Sequence, residues 1–248
     1  LSNMFFEAST RTRISFGSAF NLLGGEVRET TGIEASSLAK GESLYDTARV
    51  LSGYSDLIVM RHPEKNSVQE FSEASRVPVI NAGDGENEHP SQALLDLFTI
   101  KLELESKGKS IDGSNIALVG DLKFGRAAHS LCKILMLYTN ISIKLVSPDK
   151  LKLPDFLISE FEKKNISILE TQDIKEGIAD VDIIYMTRIQ EERFDNVSEA
   201  NKYIGLMSLN QEIYTKKKIS KYFPLTTNFS LPTASSINLK LNIYHVTF

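Results

Sequence analysis

A single cysteine, Cys132, among 248 residues leaves no partner for an intrachain disulfide, which fits a reducing cytosol. Its neighbours Leu131, Ile134 and Leu135 are apolar in a helical context, so the thiol reads as a core residue and not a reactive one. No apolar run approaches the roughly 18 residues of a membrane-spanning helix, and no basic, apolar, small-residue signal opens the chain. An excess of positive charge is missing too. With 28 Lys and Arg against 32 Asp and Glu the net charge is −4, which argues against a general nucleic-acid or membrane-surface binder and leaves room only for a local cationic pocket. Solenoid-type repeats are not visible, and the length suits one large domain or two small ones.

What is present is an alternation of short apolar runs with longer helical patterns, the signature of α/β layering with mainly parallel strands. Strands are expected at 3–6, 26–29, 57–60 and 79–81, with helices after residue 9, over 43–54 and over 91–107. A second series follows: strands at 115–119, 142–146, 168–171 and 183–186, and helices at 126–137, 154–164 and 174–179. The polar, glycine-containing stretch 106–113 marks a boundary. The expected fold is therefore α/β, two open, mainly parallel-sheet domains with helices on both faces, divided as 1–105, 106–212 and a tail at 213–248. Open sheets of this kind collect ligands at the carboxyl ends of their strands.

One such strand end carries a distinctive turn. Ser9-Thr10-Arg11-Thr12-Arg13 follows the apolar Met4-Phe5-Phe6 and precedes Ile14-Ser15-Phe16, so it sits where a buried strand becomes a helix. A helix start exposes unpaired N–H groups and the positive end of the dipole, and hydroxyls and guanidinium forks beside it suit a phosphate. On these five residues alone, a plain serine or threonine cap with solvated arginines remains the other reading.

Further stretches bear on that choice. Phe5-Phe6-Glu7-Ala8-Ser9-Thr10-Arg11-Thr12-Arg13 resembles the carbamoyl-phosphate signature of the transcarbamoylases. Met60-Arg61-His62-Pro63, His89-Pro90-Ser91-Gln92-Ala93-Leu94-Leu95-Asp96, Gly120-Asp121-Leu122-Lys123-Phe124-Gly125-Arg126 and Tyr185-Met186-Thr187-Arg188-Ile189-Gln190 extend the resemblance to the aspartate carbamoyltransferase family, in the family's order over roughly the first 210 residues. The resemblance implies carbamoyl transfer from carbamoyl phosphate to L-aspartate in cytoplasmic pyrimidine biosynthesis, with no cofactor and no metal. It implies that Ser9, Thr10, Arg11 and Thr12 bind phosphate, that Arg61 reaches phosphate and carbonyl, and that His89 with Thr12 polarises the carbonyl oxygen. Gln92 would orient the carbamoyl amide, while Arg126, Arg188 and Gln190 would receive the aspartate carboxylates. Ser37 and Lys40, in the loop Ser36–Glu42, match positions that reach a neighbouring subunit's site, so a homotrimer is implied, with or without regulatory chains. As a proline-preceding residue at a helix start, His89 suits a neutral N–H donor better than a general acid. His62 and His129 read as packing or hydrogen-bonding residues. An ornithine-type transcarbamoylase shares the phosphate signature, but paired arginines at Arg126 and Arg188 suit a dicarboxylate. A non-catalytic chain that keeps carbamoyl-phosphate affinity is the third reading.

The resemblance is incomplete at both ends. Leu1 is not an initiator methionine, and the family's N-terminal helix and linker are expected upstream of residues 3–6. After about Gln211 the pattern stops: the closing His-Pro-Leu-Pro-Arg loop and the final helix are not recognisable, and Phe223-Pro224-Leu225 supplies neither the histidine nor the arginine. Residues 213–248 contain no Asp or Glu, which reads as a frame error or a replaced terminus, with a lineage-specific tail as the alternative. Turnover by this exact polypeptide is thus not implied by its ligand set. The tail shows no sustained helical period and contains Pro224 and Pro232, so its amides are expected to exchange rapidly with solvent; hydrogen-exchange protection equal to that of strand 115–119 would mark it instead as a real structural element.

Overall fold

The computed structural model describes residues 1–32, 37–194, 196–204 and 206–207. The tail at 213–248 and Ser36 of the loop Ser36–Glu42 lie outside the described residues. Two compact units divide between Ser91 and Gln92. Among the described residues no helix is long and apolar enough to cross a membrane.

The first unit runs β1 (Ser2–Phe5), α1 (Thr10–Leu22), β2 (Arg28–Thr31), a 3-10 turn (Ser37–Lys40), α2 (Leu44–Leu51), β3 (Ile58–His62), α3 (Ser67–Ala74) and β4 (Val79–Asp84). Its strands pair in parallel in the order β2-β1-β3-β4. Side chains alternate across the sheet as strand geometry demands. Met4, Ile58 and Met60 bury against Ala48 of α2 and Val68 and Phe71 of α3, while Phe5, Val59 and Ala82 bury with Phe16 and Phe20 of α1. Helices therefore cover both faces, and β1 and β3 are buried along their whole length.

The second unit contains α4 (Pro90–Glu105), β5 (Asn115–Val119), α5 (Arg126–Leu135), β6 (Ser142–Val146), α6 (Asp155–Lys163), β7 (Ser167–Thr171), α7 (Ile174–Gly177), β8 (Ile183–Met186) and α8 (Val197–Ala200). All pairs are again parallel, in the order β7-β6-β5-β8. On central β5, Ile116 and Leu118 join α4, α5 and α6 through Ile100, Leu131 and Phe161, whereas Ala117 and Val119 face Ile174 and Ile178.

Two local differences from expectation have physical reasons. The edge strand lies at Arg28–Thr31 and not at 26–29, because pairing of Ser2 with Arg28 through Phe5 with Thr31 sets its register. Three of its four residues are exposed and the fourth is only partly buried, so no apolar alternation marks its limits. Helix α3 is eight residues long, too short for a sustained period, and is held by burial of Val68, Phe71 and Ala74. The compact units divide inside the first turn of α4, between Ser91 and Gln92, because Ala93, Ile100 and Leu104 pack in the second core.

Two backbone features aim the strand ends. The β3–β4 register shifts between Met60 and His62, and Gly83, at φ 124°, lies in the bulge beside the Arg61 side chain. Gly120, following β5, has φ 120°, and a Cβ there would stand 2.3 Å from the Thr187 carbonyl oxygen. The Gly120→Ala substitution is expected to cost roughly 3 kcal/mol from combined strain and backbone clash. Thermal or urea unfolding checks this, and wild-type stability in the variant would contradict the close approach.

Candidate active site

In the first unit, the chain leaves β1 and enters α1 at Ser9, whose backbone is extended with φ −160° and whose side chain does not cap the helix. The first turn, Thr10-Arg11-Thr12, contains no acid, so its N–H groups and dipole are not neutralised locally. A cleft of about 380 Å³ opens here, lined by Phe5, Phe6, Glu7, Ser9, Thr10 and Arg13 among others. Thr10 and Arg11 are exposed, and Thr12 is half-buried.

Arg61, buried at the end of β3, is the charged centre of this group. Its Nε donates to Glu7 Oε2 at 3.1 Å and one terminal nitrogen to Ser9 Oγ at 3.4 Å, with His89 Nε2 3.5 Å away. Ser91 Oγ lies 3.4 Å from His89 Nδ1. A buried guanidinium without a counter-charge is costly, and Glu7 supplies one. Glu7 was not expected as a site residue, although it is the one acid inside the phosphate-type turn, and that position is the signal for it. Arg13, in contrast, pairs with Glu29, and its carbonyl accepts from Asn3 Nδ2 at 2.9 Å, so it ties α1 to the sheet. Ser37 and Lys40 are exposed on the 3-10 turn, and neither is a partner of Arg61.

In the second unit, β5 and β8 are neighbours, and the loops that follow them run together: Thr187 N donates to Val119 O at 2.7 Å. Arg126 opens α5 directly after Gly125, and Arg188 and Gln190 follow β8; all three side chains are half-buried. Arg188 donates to Ile189 O at 3.0 Å, and Gln190 Nε2 to Arg188 O at 3.2 Å. Asp121 unites the two loops. Its fully buried carboxylate accepts from Phe124 N at 3.0 Å and Gln190 N at 3.1 Å, and its carbonyl accepts from Thr187 Oγ1 at 3.0 Å. Burial pushes this carboxyl above its usual value, and the Phe124 and Gln190 amides oppose the rise.

Gln92, in the first turn of α4, donates from Nε2 to Asp96 Oδ1 at 2.7 Å, and Tyr185 O–H donates to Asp96 Oδ2 at 3.0 Å. Asp96 is fully buried, which pushes its carboxyl up to about 7 against the opposing bonds from Gln92 and Tyr185. Neither Asp121 nor Asp96 was expected as a functional residue. The signal for Asp96 is an acid on the core-facing stripe of Ala93, Ile100 and Leu104.

Two other described histidines, His62 and His129, are held by neighbouring groups. His62 is buried edge-to-face against Phe6, accepts from Glu64 N at 3.1 Å, and is held below its ordinary pKa by burial. His129 Nε2 donates to Leu122 O at 2.7 Å. Among the described residues no group of three or more His, Cys, Asp or Glu is arranged to hold a metal ion.

Comparison with known proteins bears on both halves. Residues 1–102 match the carbamoyl-P binding domain of aspartate/ornithine carbamoyltransferase, and residues 112–223 match its Asp/Orn binding domain. The aspartate carbamoyltransferase catalytic subunit of Cellvibrio japonicus is 62% identical over 216 residues, covering 87% of this chain and 64% of the relative. That of Methanococcus vannielii is 50% identical, covering 91% and 72%. Among solved structures, the catalytic subunit of Methanocaldococcus jannaschii aspartate transcarbamoylase superposes with a TM-score of 0.81 at 46% identity, over 92% of this chain and 73% of that one. Aspartate transcarbamoylase from Trypanosoma cruzi in complex with N-(phosphonacetyl)-L-aspartic acid gives 0.79 at 38%, over 91% and 71%. The chain thus spans just under two thirds of the length of the Cellvibrio japonicus relative.

Proposed function

The chain belongs to the aspartate carbamoyltransferase family, and on that premise we propose that it transfers the carbamoyl group of carbamoyl phosphate to the amino group of L-aspartate, giving N-carbamoyl-L-aspartate and phosphate. The observation that carries this reading is buried Arg61, grouped with Ser9 and His89 in the unit whose α1 opens on an acid-free first turn. That group is built for a phosphate attached to a polarisable carbonyl.

In this reading the first domain, 1–105, takes carbamoyl phosphate. Ser9, Thr10, Arg11 and Thr12 hold the phosphate oxygens, Arg61 spans phosphate and carbonyl, and His89 and Thr12 donate to the carbonyl oxygen. Gln92 orients the carbamoyl amide. The second domain, 106–212, takes aspartate, with Arg126 and Arg188 on its two carboxylates and Gln190 beside them. The aspartate nitrogen attacks the carbonyl carbon, the bond from that carbon to the phosphate oxygen breaks with its electrons leaving on phosphate, and the amine proton departs with it. No covalent enzyme intermediate is needed: orientation of two anions and fixed donors at the developing oxyanion supply the rate. The Trypanosoma cruzi relative binds a compound that joins a phosphonate to an aspartate, which supports one protein accepting both groups. Paired arginines favour aspartate over a substrate with a cationic side chain. Ser37 and Lys40 complete a neighbour's site in a cyclic homotrimer, with or without regulatory chains, working in cytoplasmic pyrimidine synthesis.

Calorimetry with carbamoyl phosphate and aspartate, and carbamoyl-aspartate formation by the purified chain, test the reading. The Arg11→Ala variant is expected to lose carbamoyl-phosphate affinity by about 10- to 100-fold, the range of one charge-assisted contact, with its fold intact; unchanged affinity would overturn the role. The Arg188→Ala variant is expected to weaken aspartate binding by a similar factor of about 10 to 100 while carbamoyl-phosphate affinity holds, and equal losses for both ligands would count against the assignment.

A further inference from the structure

Asp96 is a fully buried acid on the core-facing side of α4, between Ala93 and Ile100, where an aliphatic residue would pack at lower cost. Its two oxygens are divided between two donors on different elements. Oδ1 takes the Gln92 amide nitrogen from one turn earlier on α4, and Oδ2 takes the hydroxyl of Tyr185 from β8, 89 residues away in sequence. Tyr185 is itself fully buried in the second core, so its hydroxyl cannot swing to another position without disturbing that packing. Burial and the adjacent Asp96 charge both push the Tyr185 hydroxyl well above its ordinary pKa, so it remains a donor.

A side-chain amide has two unlike ends, and at a substrate the difference decides whether it meets a donor or an acceptor. A carboxylate only accepts, so beside Asp96 the Gln92 amide must turn its nitrogen inward and its carbonyl oxygen the opposite way. We propose that Asp96, anchored by Tyr185, is a positioning residue that fixes Gln92 with Oε1 outward, and so makes Gln92 an acceptor selective for a ligand bearing an N–H₂ group on its carbonyl. The inference rests on the functional reading above, in which Gln92 meets the carbamoyl amide, and it adds an expected preference for a carbamoyl over an acetyl group. Acetyl phosphate has the same phosphate and carbonyl and a methyl in place of the amide, so it isolates this one contact.

The Asp96→Asn variant reverses the arrangement with almost no change of volume. Tyr185 O–H still requires an acceptor, so the asparagine carbonyl turns towards it and the asparagine N–H₂ faces Gln92. Gln92 then turns Oε1 inward and presents its own N–H₂, a donor facing a donor. Three ligands distinguish the outcomes by calorimetry at about pH 8, where Asp96 is mostly ionised: carbamoyl phosphate, acetyl phosphate and inorganic phosphate. Wild-type protein is expected to prefer carbamoyl over acetyl phosphate, and Asp96→Asn to lose about tenfold of that preference, with inorganic phosphate affinity changed less than about twofold. The milder Tyr185→Phe variant, which keeps the ring in the core, is expected to lose about threefold of it and gives the answer if Asp96→Asn does not fold. An unchanged preference in the folded variants would overturn the positioning role. Equal losses for all three ligands would reduce Asp96 to a structural residue and overturn it as well. Wild-type protein that binds carbamoyl phosphate no better than inorganic phosphate would instead overturn the functional reading, and this inference with it.

Discussion

Parallel strand pairing is the constraint from which the rest follows. Every named strand pairs only with parallel neighbours within its sheet, so all strands of one sheet deliver the chain to the same edge. Each return needs a crossover, which places helices over both faces and buries strands such as β3 and β5 on both sides. The loops at the carboxyl edge carry few core residues, Phe6 and Leu122 among them, and present polar side chains. The turn after β1 holds the Ser9 to Thr12 group, the end of β3 carries Arg61, and the loops after β5 and β8 carry Arg126, Arg188 and Gln190. Residues far apart in sequence meet because adjacent parallel strands end side by side, as Val119 and Met186 do.

Three buried charges turn those loops into defined sites. Arg61, Asp121 and Asp96 each lie below the surface, where an unpaired charge would be costly, and each is matched by fixed partners. Arg61 is met by Glu7 and Ser9, Asp121 by two backbone amides from separate loops, and Asp96 by an amide and a phenol. In every case at least one partner comes from a segment distant in sequence. Low dielectric surroundings strengthen those bonds and penalise alternatives, so the loops are set before a ligand arrives. This is the organisation that an electrostatic mechanism needs, since donors already aligned need not reorganise at the transition state.

Much of this was legible in the residues themselves. Apolar runs at 115–119, 142–146 and 183–186 coincide with β5, β6 and β8, because strands buried on both faces leave a dense, unambiguous signal. The phosphate-type turn at Ser9–Arg13 was visible for a similar reason: the unpaired donors of a helix start are a local property of the chain. Where burial was partial the signal failed. Exposed β2 shifted by two residues, and the short α3 went unmarked.

Residue type and local order determined the layered α/β class and the family and nominated the candidate site residues, since periodicity and short motifs are encoded within a few residues of one another. Which of those groups act together was decided only by the tertiary structure. Glu7 on Arg61 spans 54 residues, Asp121 on Gln190 spans 69, and Tyr185 on Asp96 spans 89. Contacts at such separations depend on strand order and register, which bring distant strand ends within hydrogen-bond reach, and no local pattern records them.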